Sequence, residues 1–402
     1  MAKRLSRVKI IFFHFVMWAV VAPPFLAAVV LFSVSIIAYD ILQHPERHQN
    51  SRRIWNIIAT DLYYVYEAGI WHNQKECVQY DDKLLYKPSH GCHFVNKEFA
   101  TDLNFSEDGR LTKSSQSASS GPPLFFAGDS ETMGWGVNDD ETFASLIASR
   151  VDVPVLNFGV ASYGTVREIL RIRMHPRFPE AKCIVIQYSW NDFDENKLFL
   201  TQGSLPSPTP GRFQGLLSDY GKRRANFSDV VLHTFGLMLD NPLAFFSSVF
   251  GWHDFPLEDY DPMYSSEGTP REETEDANAF LTVLAAFSEL DDKKLFAMGP
   301  SRFVSALAGG TRPGNVFPIW VDYADWYTLD MHPNEKGHRE IATEILEQLD
   351  RTKEGRHCLA RGPRRNCTAG PPRGELQWHR TGVHLGFSFS ASRPSQLAAS
   401  SP

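Results

Sequence analysis

The first long feature of the chain is an apolar run. Residues Ile10 to Tyr39 contain no Asp, Glu, Lys or Arg. A helix of that length crosses a bilayer with tilt, and it is about twice the apolar core of a secretory signal. Pro23 and Pro24 fall mid-run, where a kink is tolerated because a membrane helix can re-satisfy the carbonyls it frees. Lys3, Arg4, Arg7 and Lys9 precede the run, which keeps the N-terminus cytoplasmic and exports the bulk of the chain. Arg47, Arg52 and Arg53 weaken that asymmetry. The pattern reads as a single N-terminal anchor, with a cleaved signal or a buried hairpin as the alternatives.

From Leu124 onward, short apolar runs alternate with amphipathic ones. "LFFA" predicts a strand, and "DDETFASLIASR" a helix with Phe143, Leu146 and Ile147 on one face. "VPVLNFG" predicts a second strand. The helix "GTVREILRIRMH" follows, with Val166, Ile169 and Leu170 apolar and Thr165 with Glu168 forming a capping box. "KCIVIQYSWND" is a continuous apolar strand of the kind buried on both faces, and Cys183 within it reads as a small core residue. "AFLTVLAAFSEL" predicts a helix, "KKLFAMG" and "NVFPIWVD" strands, and "HREIATEILEQL" a closing helix with Ile341, Ile345 and Leu349 inward. Strands alternating with helices imply a mainly parallel sheet sandwiched by helices.

Other stretches break this rhythm. In residues 40–120, "IWNIIATDLYYVYEAGIW" predicts a helix near the membrane, followed by turns and the boundary signal "LTKSSQSASSGPP". Residues 201–275 read as an insert. It opens with "SLPSPTPG" and carries the apolar "FGLMLDNPLAFFSSVFGW", either a lid over a site or packing for a long crossover. It ends in an acidic segment, Asp254 to Asp276, which reads as a solvated loop rather than a calcium site because it lacks a loop template. Residues 351–402, rich in Arg, Gly, Pro and Ser, read as a disordered tail, with contact to an anionic surface as the lesser alternative. The expected organisation is a cytoplasmic 1–9, an anchor 10–39, a juxtamembrane region and linker 40–120, a catalytic domain 121–350 and the tail.

Composition adds limits. Hydrophobic residues make up 43 % and charged residues 22 %, ordinary globular values. A net charge of −7 gives no sign of nucleic-acid binding, which needs a strongly basic face, and none occurs outside the tail. Five cysteines are too few for a disulfide scaffold. Cys77 and Cys92 bracket a polar, turn-rich stretch and pair if the domain is exported. His90 and His93 flank Cys92, but their spacing fits no standard zinc pattern, so no metal is expected.

Four separated pieces carry candidate chemistry: "GDS" at 128–130, "NFG" at 157–159, "WND" at 190–192 and "DMHPNEKGH" at 330–338. Acyl transfer requires a nucleophile, a base, an orienting group and donors for the developing oxyanion. Ser130 follows the first strand, where a strand-to-helix turn presents its hydroxyl and aims its own N–H at the oxyanion. Gly159 follows the second strand, and without a Cβ its N–H approaches a tetrahedral carbon closely. Asn191 follows the third and offers a side-chain amide. These tips converge at the switch point of a doubly wound sheet, the usual ligand crevice. His332, in the loop before the final helix, is the candidate general base. Asp129 and Asp192 read as structural hydrogen-bonders and Gly164 as a turn residue. His338 reads as the start of the last helix, and His233 and His253 as surface or insert residues. Trp190 either lines the pocket or packs against the sheet.

In order and spacing, the four pieces resemble the blocks of the SGNH (GDSL-like) hydrolase superfamily, over about residues 121–350. The resemblance implies a flavodoxin-like α/β/α fold and a serine esterase with Ser130, His332 and Asp330 as its triad. It also implies Ser130, Gly159 and Asn191 as the oxyanion hole, with no metal or organic cofactor. The common motif is Asp-x-x-His, whereas Leu329 stands at that acidic position and the chain reads Asp-x-His. Asp325 or a backbone carbonyl could therefore serve in place of Asp330. Exported relatives resemble O-acetyltransferases and deacetylases of envelope polysaccharides, so acyl transfer to a sugar hydroxyl is the alternative activity and a non-catalytic anchored scaffold the third. The expected partners are an ester-bearing glycan, lipid or small molecule and, through the anchor, a membrane, with the catalytic domain on its periplasmic or extracellular side.

Overall fold

The computed structural model describes residues 2–49, 53–68, 71–74, 76–112, 121–189, 191–217, 224–252, 273–322 and 325–359. The chain divides into two units, Met1–Gly362 and Pro363–Pro402, and the second lies outside the described residues. So do Trp190, His253, most of the serine-rich linker, most of the acidic segment and the tail from residue 360.

The core sheet runs β10-β9-β8-β6-β7 through parallel neighbours. Its strands are β6 (Leu124–Ala127), β7 (Val155–Asn157), β8 (Cys183–Gln187), β9 (Lys294–Met298) and β10 (Val316–Ile319). Taken in chain order this is 2-1-3-4-5, the flavodoxin-like arrangement, with the switch point at the end of β6. Alternate strand residues face opposite layers. Phe125, Ile184, Ile186 and Leu295 pack beneath α5 (Thr165–Arg173), α10 (Glu273–Ala285) and α11 (Ser301–Gly309). Leu124, Phe126, Val185 and Phe296 pack beneath α4 (Phe143–Ala148) and α12 (Glu335–Arg351), where Ile341, Ile345 and Leu349 are fully buried. Strands buried on both faces explain the near-continuous apolar runs in the sequence.

The β7 edge of the sheet continues antiparallel into β5 (Gly109–Arg110), β4 (Ala100–Ser106) and β3 (Gly91–Val95). A separate hairpin, β1 (Val78–Asp81) with β2 (Leu85–Pro88), precedes them. The sequence reading expected only a helix and turns between 40 and 120. β1, β2, β3 and β5 have only two to five residues, whereas β4 alternates buried Thr101, Leu103 and Phe105 with more exposed Asp102, Asn104 and Ser106, a period-two signal that the sequence reading passed over.

The N-terminal helix α1 (Ala2–Gln43) holds Pro23 and Pro24 within it, and Met17–Gln43, with an 18-residue stretch of mean hydropathy 2.4, is long and apolar enough to cross a membrane. It packs on α2 (Ile54–Leu62), which runs into a wider π-helical turn at Tyr63–Glu67. The insert contributes α6 (Asp192–Gln202) in part, α7 (Pro210–Leu216), α8 (Phe227–Asp240) and α9 (Pro242–Phe250). Helices α8 and α9 pack on α1 and α2, so this apolar part of the insert is buried in part against the N-terminal helices.

Two local expectations change, and the Cys77–Cys92 pairing agrees with its expectation. Cys183 is not a lone core residue but is bonded to Cys358 in α13 (Lys353–Cys358), so residues 351–359 belong to the folded unit rather than to a disordered tail. Thr165 forms no capping box: Gly164 is the N-cap of α5, and the Thr165 hydroxyl donates to Asp192 Oδ2 at 2.9 Å. Cys92 is bonded to Cys77, the pairing that export would allow, which removes it from any site with His90 and His93.

Candidate active site

Ser130 is the first residue of the single-turn helix α3 (Ser130–Met133). Asp129 caps that helix, its buried carboxylate accepting the Glu131 N–H at 3.0 Å, and burial pushes its pKa up. Gln187 Oε1, at the end of β8, accepts from Asp129 N–H at 3.2 Å and Thr132 Oγ1 at 3.0 Å. From β7, Asn157 Nδ2 donates to Thr132 O at 2.8 Å. Arg110, on β5 and fully buried, donates to Met133 O and Asp139 Oδ1 at 2.7 and 2.9 Å, and to the carbonyls of Gly134 and Val137. The serine thus sits on a turn whose carbonyls, amides and side chains are held from three strands.

The Ser130 hydroxyl lies 2.8 Å from His332 Nε2, and His332 Nδ1 lies 2.7 Å from Asp330 Oδ1 and 2.9 Å from Asp330 O. Both atoms facing Nδ1 are acceptors, so Nδ1 carries the hydrogen and the neutral ring presents its Nε2 lone pair to Ser130. The two-residue spacing is bridged by Met331, whose φ of 55° turns the chain so that both side chains face the same way. Asp325, the alternative acid, pairs instead with Lys336 at 2.5 Å. Burial lowers the His332 pKa, but the hydrogen bond its Nδ1–H donates to Asp330 and the charge of that carboxylate, with Asp129 and Glu131 behind, prevail and raise it to about 9.

Asp330 is held on every side. Trp135 Nε1 donates to Oδ1 at 2.9 Å, Asn96 Nδ2 to Oδ2 at 3.0 Å, and the Tyr63 hydroxyl to Oδ2 at 3.3 Å. The Tyr64 hydroxyl donates to the Asp330 carbonyl. Glu98 accepts the backbone N–H groups of Thr328, Leu329 and Asp330 at 2.6, 2.9 and 2.7 Å. Burial raises the Glu98 pKa to about 7, opposed by those three donors. Motif reading missed Tyr63, Tyr64, Asn96, Glu98, Arg110 and Trp135. Trp135 alone lay inside a quoted block's neighbourhood, five residues past Ser130.

The three proposed oxyanion donors differ in their state. Ser130 N–H has no acceptor among the described residues. Asn191 Nδ2 donates to Tyr163 O at 3.0 Å, which leaves one of its two amide hydrogens. Gly159 N–H donates to Asn157 Oδ1 at 3.0 Å. Glycine is required at 159 for a second reason: a Cβ there would stand 2.1 Å from Met133 N, inside the turn that carries Ser130.

Other candidates lie elsewhere. His338 is fully buried on α12, its Nδ1 accepting the Phe143 N–H at 3.2 Å, and burial, then the charges of Arg110 and His332, lower its pKa to about 3. His233 is half-buried and lies 3.0 Å from Asp61 Oδ2. Asp192 accepts from Thr165 and is fully buried beside Glu168, and burial followed by neighbouring carboxylates raises both pKa values well above the carboxylate range. Among the described residues no group of three His, Cys, Asp or Glu side chains is arranged to hold a metal ion.

No protein-family model and no curated protein sequence matches the chain. Among solved structures, it is similar to LAE5, an α/β hydrolase enzyme from the metagenome of Lake Arreo, Spain. That likeness has 13 % identity and a TM-score of 0.32, over 60 % of this chain and 98 % of the other. A carbohydrate esterase family 2 enzyme of Corynascus thermopiles (Myceliophthora fergusii) is 12 % identical at a TM-score of 0.30, over 60 % and 68 %. The SGNH-hydrolase family esterase AlinE4 is 15 % identical at a TM-score of 0.20, over 58 % and 98 %.

Proposed function

We propose that the chain is a membrane-anchored serine esterase of the SGNH type that works through an acyl-enzyme. The observation that carries this reading is the hydrogen-bonded order Asp330–His332–Ser130, at 2.7 and 2.8 Å. Ser130 Oγ attacks the ester carbonyl carbon while its proton passes to His332 Nε2. The bond to the leaving oxygen breaks as His332 returns that proton to it, leaving an acyl ester on Ser130. Water then attacks, giving its proton to His332, and the acid leaves as Ser130 regains a proton. Asp330 holds the ring in the Nδ1–H tautomer and stabilises the imidazolium. Ser130 N–H and the second Asn191 amide hydrogen serve the oxyanion. Gly159 N–H joins them by sharing its bond to Asn157. Each such donor is typically worth ~3 kcal/mol in the transition state.

Helix α1 anchors this chemistry at a membrane, on the exported side. Two disulfides within the folded unit support an oxidising compartment. If a sugar hydroxyl takes the place of water, the same residues carry out O-acyl transfer.

The test is labelling of the full-length protein by a fluorophosphonate probe, alongside hydrolysis of p-nitrophenyl acetate. Labelling that disappears in Ser130→Ala and His332→Ala is expected. An intact protein that neither labels nor hydrolyses would mark a non-catalytic scaffold. Adding a glycan acceptor and following a labelled acyl group separates transfer from hydrolysis.

A further inference from the structure

We propose that the α8–α9 hairpin lies in the surface of the same lipid bilayer that α1 crosses, as a second membrane contact. This rests on the reading of α1 as a span. The two helices form an apolar pair bent by 113° at Asn241. Their inward face is fixed: Val230, Leu237 and Phe245 are buried against Ala38 and Ile41 of α1 and Ile57 of α2. Ile54 N–H donates to Ser248 Oγ at 3.0 Å, and the Arg53 guanidinium to Ser248 O at 3.1 Å. Tyr39 meets Phe227 edge to face at 5.6 Å.

Their outward face has no such cover. Leu232, Leu239, Leu243 and Trp252 are 69, 61, 86 and 71 % exposed, with Phe235 and Phe250 beside them. Contiguous apolar surface of this kind marks an interaction site. Its occupant follows from the neighbour it is built on. Because α8 packs along α1, these side chains extend sideways the apolar surface that α1 itself presents through Trp18, Phe25 and Phe32.

Length and polarity set the depth. A helix the size of α8 spans about 21 Å, too short to cross a bilayer, so the hairpin lies in the interface plane. Asp240 and Asn241, exposed at the bend, hold its tip at headgroup level. Trp252 has the amphipathic ring favoured at that depth, and the exposed pair Arg47–Glu46, 3.6 Å apart just past the end of α1, suits the same polar level. Leu329, beside the triad acid, belongs to the same buried cluster as these helices. The residue next to Asp330 is therefore packed into the same block as the hairpin.

The test uses the full-length chain with Cys367→Ser, reconstituted in phosphatidylcholine vesicles, with one cysteine introduced by Leu243→Cys or, as the anchor control, Val21→Cys. Each is labelled with the environment-sensitive dye NBD. Emission at both positions is expected to be blue-shifted and quenched by spin-labelled lipids, position 243 by shallow labels and position 21 by deep ones. If position 21 is quenched but 243 emits as in water, the hairpin proposal falls and the anchor stands. A blue shift at 243 that lipid quenchers do not touch would mean a second protein copy covers the face, and also overturns it. If neither position is quenched, the anchor reading itself fails, and the hairpin proposal with it.

Discussion

Asp330 and His332 are two residues apart and share a 2.7 Å hydrogen bond, and the left-handed Met331 between them makes that possible. Replacing Asp330 by Asn keeps the shape but offers Nδ1 an uncharged partner able to present an N–H. On the proposed mechanism, kcat for p-nitrophenyl acetate falls by about 10⁴-fold with KM little changed. Steady-state kinetics on Asp330→Asn check this, and retention of more than a tenth of wild-type kcat would remove Asp330 from the triad.

Met331 itself is open to a conformational test. Glycine adopts its φ of 55° freely, whereas a β-branched residue is strained there by about 1–2 kcal/mol. Met331→Gly is expected to retain most activity, and Met331→Val to lower both kcat and thermal stability. Equal behaviour of the two variants in a melting and activity assay would contradict the role assigned to this turn.

The pH profile follows from His332. Its pKa of about 9 stands above the ordinary 6.5, so the base form is scarce at neutral pH. On the proposed mechanism, kcat/KM rises about tenfold per pH unit towards about 9 before levelling. Stability runs the other way. The raised pKa contributes stabilisation that is complete below pH 6.5 and is lost as pH climbs through about 9. Parallel rate and melting measurements from pH 6 to 10 read both slopes.

Glu98 supplies a second titration, which acts on stability with the same sign but at lower pH. Its folded pKa of about 7 exceeds the ordinary 4.5, so forcing it to ionise costs stability as pH rises between those values. Above pH 7 the carboxylate accepts the amides of Thr328, Leu329 and Asp330. Glu98→Gln removes part of that acceptance, at about 1–3 kcal/mol for an amide left unpaired. The variant's kcat/KM is expected to fall about tenfold at pH 9 and to converge on wild type below pH 7, where the wild-type Glu98 is itself neutral and a poorer acceptor. A pH-independent loss would count against it.

The two disulfides should differ in weight. By loop-closure entropy, a link over 175 residues stabilises by about 5 kcal/mol and one over 15 by about 3. Cys183→Ala with Cys358→Ala is expected to lower the melting temperature more than Cys77→Ala with Cys92→Ala, as calorimetry will show.

What was legible in the sequence tracks how local the signal was. β6, β8 and β9 announce themselves because strands buried on both faces are almost wholly apolar, and α12 because Ile341, Ile345 and Leu349 repeat along one face. The antiparallel strands β3 to β5 carry no such run. Ser130, His332 and Asp330 stand in recognisable blocks, but what holds Asp330 comes from Tyr63, Asn96 and Trp135, each at least 195 residues away in the chain. Cys183 looked like a core residue because its surroundings are those of one, and its partner lies far off in sequence. The capping reading of Thr165 failed because a buried carboxylate, Asp192, competes for the same hydroxyl.

The turn Asn96–Lys97–Glu98 between β3 and β4 has a consequence for how this chain can vary. Asn96 grips the Asp330 carboxylate, and Glu98 grips the amides beside it. Lys97 donates to Leu42 O at the end of α1, at 2.6 Å, and pairs with Glu67. Connecting turns ordinarily tolerate added or lost residues. Here one residue inserted or removed would put three grips out of step at once. Natural variants of this protein should therefore change length around the sheet's other turns while keeping this one at the same count.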